Sequence, residues 1–276
     1  MNIKGTYEFF RPSSSIGFFP SPCLSLDSVS SATGGAMNVY TDSDGFRVNV
    51  INTENKPTNH HILFLGASWT WGSWVEYNQR FSSLVQESIG IEVLNGSCPS
   101  HSIYQSFLVA KQIQAIFYSD TIVIDINMDY SSRIFSFEIP GKLYRPLLCW
   151  DKSGNPLHIA PIVKTQNIQS VIATSYLRWL FKSSRLASNY NDYEFRDKLY
   201  LHAHYQRFLA MLANLTSRLL ILDTTHIPSC FLSETCKTHG YAYLKTPDVG
   251  LHDDTYNSHP GPKWHKQVSM QILSYL

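Results

Sequence analysis

Short apolar runs that stop abruptly recur along the chain, with longer segments of helical spacing between them. His61–Leu65 (HILFL) ends at Gly66, Thr121–Ile126 reads TIVIDI and Arg218–Asp223 reads RLLILD. Ile91–Leu94 and Tyr241–Leu244 are shorter runs of the same kind. A strand buried on both faces has this near-continuous apolar pattern. Between the first two runs, Phe81, Leu84, Val85 and Ile89 are spaced as one face of a helix over 78–89, with Asn78 as its cap and Gly90 as its stop. Further helices are predicted over 102–118, near 168–182, over 196–217, over 231–239 (stopped by Gly240) and over 263–276. Strands alternating with helices of this length predict an α/β domain, a parallel sheet covered on both faces.

The first 35 residues are rich in Ser, Pro and Gly and read as an irregular arm lying on the domain. Residues 36–52 read as short strands around a turn at Asp42–Gly45, so the arm and these strands make up 1–52 and the main domain 53–276. Within the main domain, about 130–195 reads as a less regular insertion, with a hairpin around Ser153–Asn155.

Charge narrows the function classes. Lys and Arg number 22 against 21 Asp and Glu, a net of +1. No strong field draws such a chain to nucleic acid or to an anionic membrane. The five Cys are scattered, without a CxxC pair, and fit a reducing compartment better than a disulfide framework. Cys230, Cys236 and His239 give only a partial metal spacing, and His202 and His204, two apart on a predicted helix, face different directions. The N-terminus lacks the apolar core of a signal peptide, and every apolar run is far shorter than a membrane span. The expectation is a cytoplasmic or otherwise soluble protein without a transmembrane segment.

Chemistry in a parallel sheet gathers beyond the carboxyl ends of its strands. After the first run comes GASWTWG, residues 66–72, with Ser68 two residues past the strand end. Such a place offers backbone N–H groups to a developing anion. A phosphate loop is excluded, because Ser73 and Trp74 follow Gly72 where Lys and Ser/Thr are needed. The Gly-x-Ser-x-Gly elbow fails as well, because Thr70 stands in place of its second Gly. Near the C-terminus, HDDTYNSHPGPKWH places Asp253 and Asp254 just ahead of His259 and a predicted helix. A neutral His takes a proton from a Ser hydroxyl, and a carboxylate holds its tautomer.

These motifs, in this order, resemble those of the SGNH hydrolases, also called GDSL esterases/lipases. LFLGASWTWG looks like the first block, EVLNGSCPSHSIYQ the second, TIVIDINMDY the third and DDTYNSHPGPKWH the last, and the resemblance covers roughly residues 40–275. DSDGFR and RPLLCWDKSGNPL are similar to stretches of bacterial members with long insertions. The resemblance implies a flavodoxin-like three-layer α/β/α sandwich and ester hydrolysis, for instance of carbohydrate O-acetyl groups, with no cofactor or metal. It makes Ser68 the nucleophile and its N–H one oxyanion donor, His259 the base and Asp254 the orienting acid, with Asp253 as the alternative.

Four departures from the family pattern bear on activity. Ala67 replaces the usual Asp of the first block. Tyr256 stands three positions before His259, where the family has its Asp. Ser100 falls where the family has a Gly whose N–H faces the oxyanion. Asp129 falls where it has an Asn donor, unless a two-residue shift brings Asn127 there. An ionised Asp only accepts hydrogen bonds, and losing one oxyanion donor costs about 10²–10³ in rate. Hydrolase and O-acyltransferase share this chemistry. A catalytically impaired glycan- or partner-binding protein, and an assembly protein docking through the arm, are the readings from other classes. Trp69, Trp71 and Trp74 read as wall packing or the floor of a sugar cleft, and Arg133, Arg145 and Arg178 as cations able to reach a substrate.

Overall fold

A computed structural model describes residues 9–30, 35–49, 62–128, 133, 138–139, 143–150, 156–159, 196–225, 230–248 and 259–276. The N-terminal part is more regular than its composition predicts. Strands β1 (Phe10–Ser13) and β2 (Gly17–Pro20) pair as an antiparallel hairpin. β3 (Ser25–Ser30), β4 (Ala36–Thr41) and β5 (Arg47–Val48) form a three-stranded antiparallel sheet. The sequence hides β3 because its pairing shifts register between Leu26 and Val29, which breaks the two-residue period. Phe9, Phe10, Phe18, Phe19, Met37 and Val39 are buried against the main domain, so the Phe pairs supply the apolar surface that the Ser- and Pro-rich stretch otherwise lacks. The Asp42–Gly45 turn stands as read, with Asp42 Oδ1 accepting from the backbone N–H of Asp44 (2.8 Å) and Phe46 (3.0 Å).

The main domain continues through β6 (Ile62–Leu65), a four-residue helix α1 (Ser68–Trp71), α2 (Phe81–Ile89), β7 (Val93–Asn95), α3 (Ile103–Gln114) and β8 (Thr121–Ile126). Four short strands follow: β9 (Glu138–Ile139), β10 (Leu143–Tyr144), β11 (Leu147–Trp150) and β12 (Pro156–Ile159). β11 and β12 pair antiparallel, as the predicted hairpin requires. Then come α4 (Arg196–Ala213), β13 (Arg218–Asp223), α5 (Cys230–His239), β14 (Ala242–Lys245) and α6 (Pro262–Leu273). The helix expected near 168–182 lies outside the described residues. α2 starts later than its pattern suggests: Arg80, not Asn78, is its N-cap, and a 3₁₀ turn closed by a Glu76–Gln79 capping box precedes it. Gly90 ends it in the left-handed conformation (φ +65°), which a glycine adopts without steric cost.

The five central strands are parallel in the order β14-β13-β8-β6-β7. Numbered along the chain this is the flavodoxin-like 2-1-3-4-5 arrangement, and it reverses direction between β6 and β8. Side chains alternate between the two faces. Leu63, Leu65, Ile122, Ile124, Leu219 and Ile221 pack with Phe107 and Ala110 of α3, Phe208 and Leu212 of α4 and Leu232 of α5. Ile62, Phe64, Val123, Leu220 and Leu222 pack instead with Phe81 and Val85 of α2 and Trp264, Val268 and Ile272 of α6. The domain is a three-layer α/β/α sandwich, as the sequence predicts. Ser102 caps α3 through a reciprocal box with Gln105, and Gln105 also donates from Nε2 to the Ile16 carbonyl (2.8 Å), tying the N-terminal hairpin to the main sheet.

Candidate active site

The chain leaves β6 at the switch point and turns at once. Gly66 has φ +153°, and a Cβ there would lie 2.5 Å from Thr70 Oγ1 and 2.8 Å from the Asp125 Cβ. Only a glycine lets both side chains close over this backbone. Two residues on, Ser68 opens α1, and its carbonyl accepts from the N–H of Gly72 (3.1 Å) and Ser73 (2.9 Å). Buried Arg47 of β5 holds the exit of this turn. It donates to the carbonyls of Gly72 (2.6 Å), Val75 (2.7 Å) and Asn38 (3.0 Å), with its guanidinium 4.6 Å from the centre of the Trp71 ring. Trp71 and Trp74 are core residues, which makes them wall packing; Trp69, beside Ser68, is half-buried.

At the end of β7, buried Asn95 donates from Nδ2 to the Thr70 carbonyl and to Ser82 Oγ, both at 2.8 Å. Its Oδ1 accepts from the N–H and the hydroxyl of Ser97. The second-block loop is thereby bound to the Ser68 turn. Further along that loop, Ser100 has φ +66°. A non-glycine residue there is uncommon and strained. Its carbonyl accepts from Arg145 Nε (3.1 Å) and Nη2 (2.8 Å), so Arg145 holds this loop rather than reaching for a substrate. Neither the Ser68 N–H nor the Ser100 N–H donates a hydrogen bond among the described residues.

Beyond β8, Asn127 donates one amide hydrogen to the Thr224 carbonyl at the end of β13 (3.1 Å). Asp129 and Arg178 lie outside the described residues. Half-buried His259 precedes Pro260, Gly261 and α6, while Asp253 and Asp254 lie outside the described residues. The position of α6 is fixed close to the Ser68 turn. Its Trp264 meets Trp69 edge to face, with ring centres 5.6 Å apart, and donates from Nε1 to the Pro247 carbonyl (2.8 Å). The carboxyl ends of β6, β7 and β8 thus lead into the segments that carry Ser68, Ser100 and Asn127, and His259 stands three residues ahead of α6, whose Trp264 packs on Trp69.

A buried polar network was not read from the sequence. Asp125 of β8 accepts from Thr70 Oγ1 (3.0 Å) and from Thr224 Oγ1 (2.5 Å). Burial pushes its carboxyl up to about 6, and the two hydroxyls oppose that rise. The signal was present in TIVIDI: a carboxylate inside a buried strand needs partners. A cavity of about 40 Å³ lies over this network, lined by Ala67, His101, Asp125, Asn127, Arg133 and Tyr205 among others. A larger cavity of about 230 Å³ runs along the edge strand β7, with Asp42, Asp44, Arg80 and Glu92 on its wall. None of Ser68, Ser100, Asn127 or His259 lines it, so chemistry and not volume marks the candidate site. Among the described residues, no group of three or more His, Cys, Asp or Glu is placed to hold a metal ion. His202 stacks on Phe231, and Cys236 lies in the core. No helix among the described residues is long and apolar enough to cross a membrane.

No family model matches the chain, and no curated protein matches it. Among solved structures, it is similar to Est2A, an acetyl xylan esterase from the rumen bacterium Butyrivibrio proteoclasticus, with 12% identity and a TM-score of 0.46. That alignment covers 81% of this chain and 65% of the esterase, just under two thirds of its length. The chain is also similar to TesA, with 11% identity and a TM-score of 0.47 over 77% of this chain and 96% of that one. A catalytic variant of Axe2, an acetylxylan esterase from Geobacillus stearothermophilus, gives 9% identity and a TM-score of 0.42 over 79% and 94% of the two chains. The strand order, not these likenesses, defines the fold. The sequence blocks resemble SGNH hydrolases, and esterases are among the chain's structural neighbours.

Proposed function

We propose that this chain is a serine ester hydrolase of the SGNH type. The observation that carries the reading is the left-handed backbone of Ser100. The residue that falls where the resemblance calls for a glycine has a conformation that favours glycine, with its N–H unengaged among the described residues. A left-handed backbone at this position is what supports reading the Ser100 N–H as a donor. Ser68 Oγ forms the bond to the acyl carbon as His259 takes its proton. The carbonyl oxygen becomes an oxyanion facing the N–H groups of Ser68 and Ser100. The ester C–O bond then breaks, and the leaving alkoxide receives the proton from His259. Water repeats the sequence on the acyl-enzyme and frees Ser68. Asp254 orients His259. With a sugar hydroxyl in place of water, the same steps make an acyltransferase.

Acetylated sugars are the substrates to try first, because half-buried Trp69 beside Ser68 offers an aromatic surface. The direct experiment is labelling with a fluorophosphonate, followed by peptide mapping. The expected result is one adduct, on Ser68, absent from His259→Ala. An adduct elsewhere, or none, contradicts the reading.

One observation favours a second reading, a binding module of the same fold. Asn127 commits one of its two amide hydrogens to the Thr224 carbonyl, and the unshifted register of the resemblance puts Asp129, an acceptor, at the donor position. If so, the wild type is inert, and Asp129→Asn restores labelling of Ser68.

A further inference from the structure

We propose that Asp125 is a positioning residue for Ser68: through Thr70 and Thr224 its carboxylate clamps the Ser68 turn to the ends of β8 and β13. The inference rests on the esterase reading above. Three segments distant in sequence meet on this one side chain. Thr70, two residues after Ser68, donates to Oδ2 at 3.0 Å. Thr224, just past β13, donates to Oδ1 at 2.5 Å. Asp125 itself sits one residue before the end of β8, opposite Leu222 in the pairing with β13. The backbone continues the tie: Thr224 N–H donates to the Ile126 carbonyl (3.0 Å), and Met128 N–H to Thr225 Oγ1 (3.0 Å). The same contacts therefore set the start of the third-block loop that carries Asn127.

Two features argue for positioning rather than mere filling. A buried, strand-borne carboxylate is a poor choice for stability, since an apolar side chain of similar volume costs less desolvation. Gly66 also leaves its side-chain space to Thr70 and Asp125, so the turn that presents Ser68 is shaped around their contact. A displacement of about 1 Å at a reacting group can cost about 10²-fold in rate.

The groups facing Asp125 are known from each element around it. Asp223 of β13 is held by Tyr243 Oη (2.8 Å) and paired with Lys245 (3.9 Å). Arg133 stands across the 40 Å³ cavity. Burial keeps Tyr205 of α4 protonated and pushes His101, ahead of α3, down to about 3, so both stay neutral from pH 5 to 8.

The test measures hydrolysis of p-nitrophenyl acetate by the full chain as wild type, Asp125→Ala, Asp125→Asn, Thr70→Val and the Asp125→Ala/Thr70→Val pair. Circular dichroism checks folding, and the near-isosteric Asp125→Asn and Thr70→Val serve if Asp125→Ala does not fold. The clamp predicts a loss of about 10²-fold in kcat for Asp125→Ala, with KM nearly unchanged. Adding Thr70→Val causes no further loss, because both act through one contact. The acid limb of kcat/KM is steeper by one proton in wild type than in Asp125→Asn. A folded Asp125 variant within about twofold of wild type, or full additivity with Thr70→Val, overturns the proposal. A wild type that neither turns over nor labels at Ser68 refutes the esterase reading instead. The ¹³C titration of the Asp125 carboxyl then judges the clamp itself: its midpoint rises in Thr70→Val if the hydroxyl holds the carboxylate, and an unchanged midpoint overturns it.

Discussion

Acidification strains this fold through two buried imidazoles. His265 of α6 accepts the Phe81 N–H at Nδ1 (3.3 Å), and its Nε2 is buried without a partner. The ring is stacked on Phe81, and Arg80 and Arg47 lie close by. A second proton would sit on Nδ1, against the N–H it now accepts. His101 faces the same problem, since Nε2 donates to the Phe18 carbonyl (2.9 Å) and Nδ1 is buried and unpartnered. Burial pushes both rings down to about 3. A histidine with a lowered folded pKa stabilises the protein fully above its unfolded value of about 6.5, and that stability is lost as the pH falls below it. At pH 4.5 each unfolded imidazole is charged and each folded one is neutral, a loss of about 3 kcal/mol each and about 5 kcal/mol together. Asp125 acts oppositely: its raised pKa returns at most about 2 kcal/mol between pH 6 and 4.5. His265, His101 and Asp125 together give a fall of about 3 kcal/mol between pH 7 and 4.5, and buried His204, pushed down to about 4, adds to it in the same direction, against a typical total of about 5–15 kcal/mol. Urea unfolding followed by circular dichroism at pH 7, 5.5 and 4.5 measures it. His265→Asn offers an oxygen to the Phe81 N–H without a titrating ring. Its stability should fall less steeply with acid than that of wild type, by about 1.4 kcal/mol per pH unit. Equal slopes in the two proteins would refute the assignment, whatever their absolute stabilities.

Two further outcomes follow from packing and backbone. Trp264→Ala removes a fully buried ring that touches Trp69, Phe81 and His265, and should cost about 3–5 kcal/mol in urea unfolding; a loss below about 1 kcal/mol would mean that α6 is not seated as described. Ser100→Gly should leave stability within about 1 kcal/mol and retain activity, since relief of the left-handed strain offsets glycine's added entropy. Ser100→Val, β-branched at the same φ, should cost about 1–3 kcal/mol and lower the esterase rate; a well-folded, fully active Ser100→Val would remove the reason to assign this backbone a role.

The central sheet was legible because burial on both faces writes itself into the sequence. Arg218–Asp223 and Thr121–Ile126 are strands over the ranges their apolar runs mark. The turn that carries Ser68 is legible because the apolar run before it stops at Gly66. Three features were hidden, each for its own reason. β3 pairs with β4 through a register shift, and the N-terminal strands owe their place to Phe contacts far away in sequence, which no local period reveals. The start of α2 is hidden because the Glu76–Gln79 box builds a separate turn ahead of it. Arg145 looked like a substrate ligand because its partner is a backbone carbonyl, Ser100, 45 positions away, and carbonyls leave no trace in side-chain patterns. Asp125 could have been found, as the one acid inside an otherwise apolar strand.

The most direct test of the central claim is p-nitrophenyl acetate hydrolysis by wild type, Ser68→Ala and His259→Ala, with folding checked by circular dichroism. The account predicts turnover by wild type and its loss in both variants with unchanged spectra. Turnover that survives Ser68→Ala, or none in wild type, would contradict it.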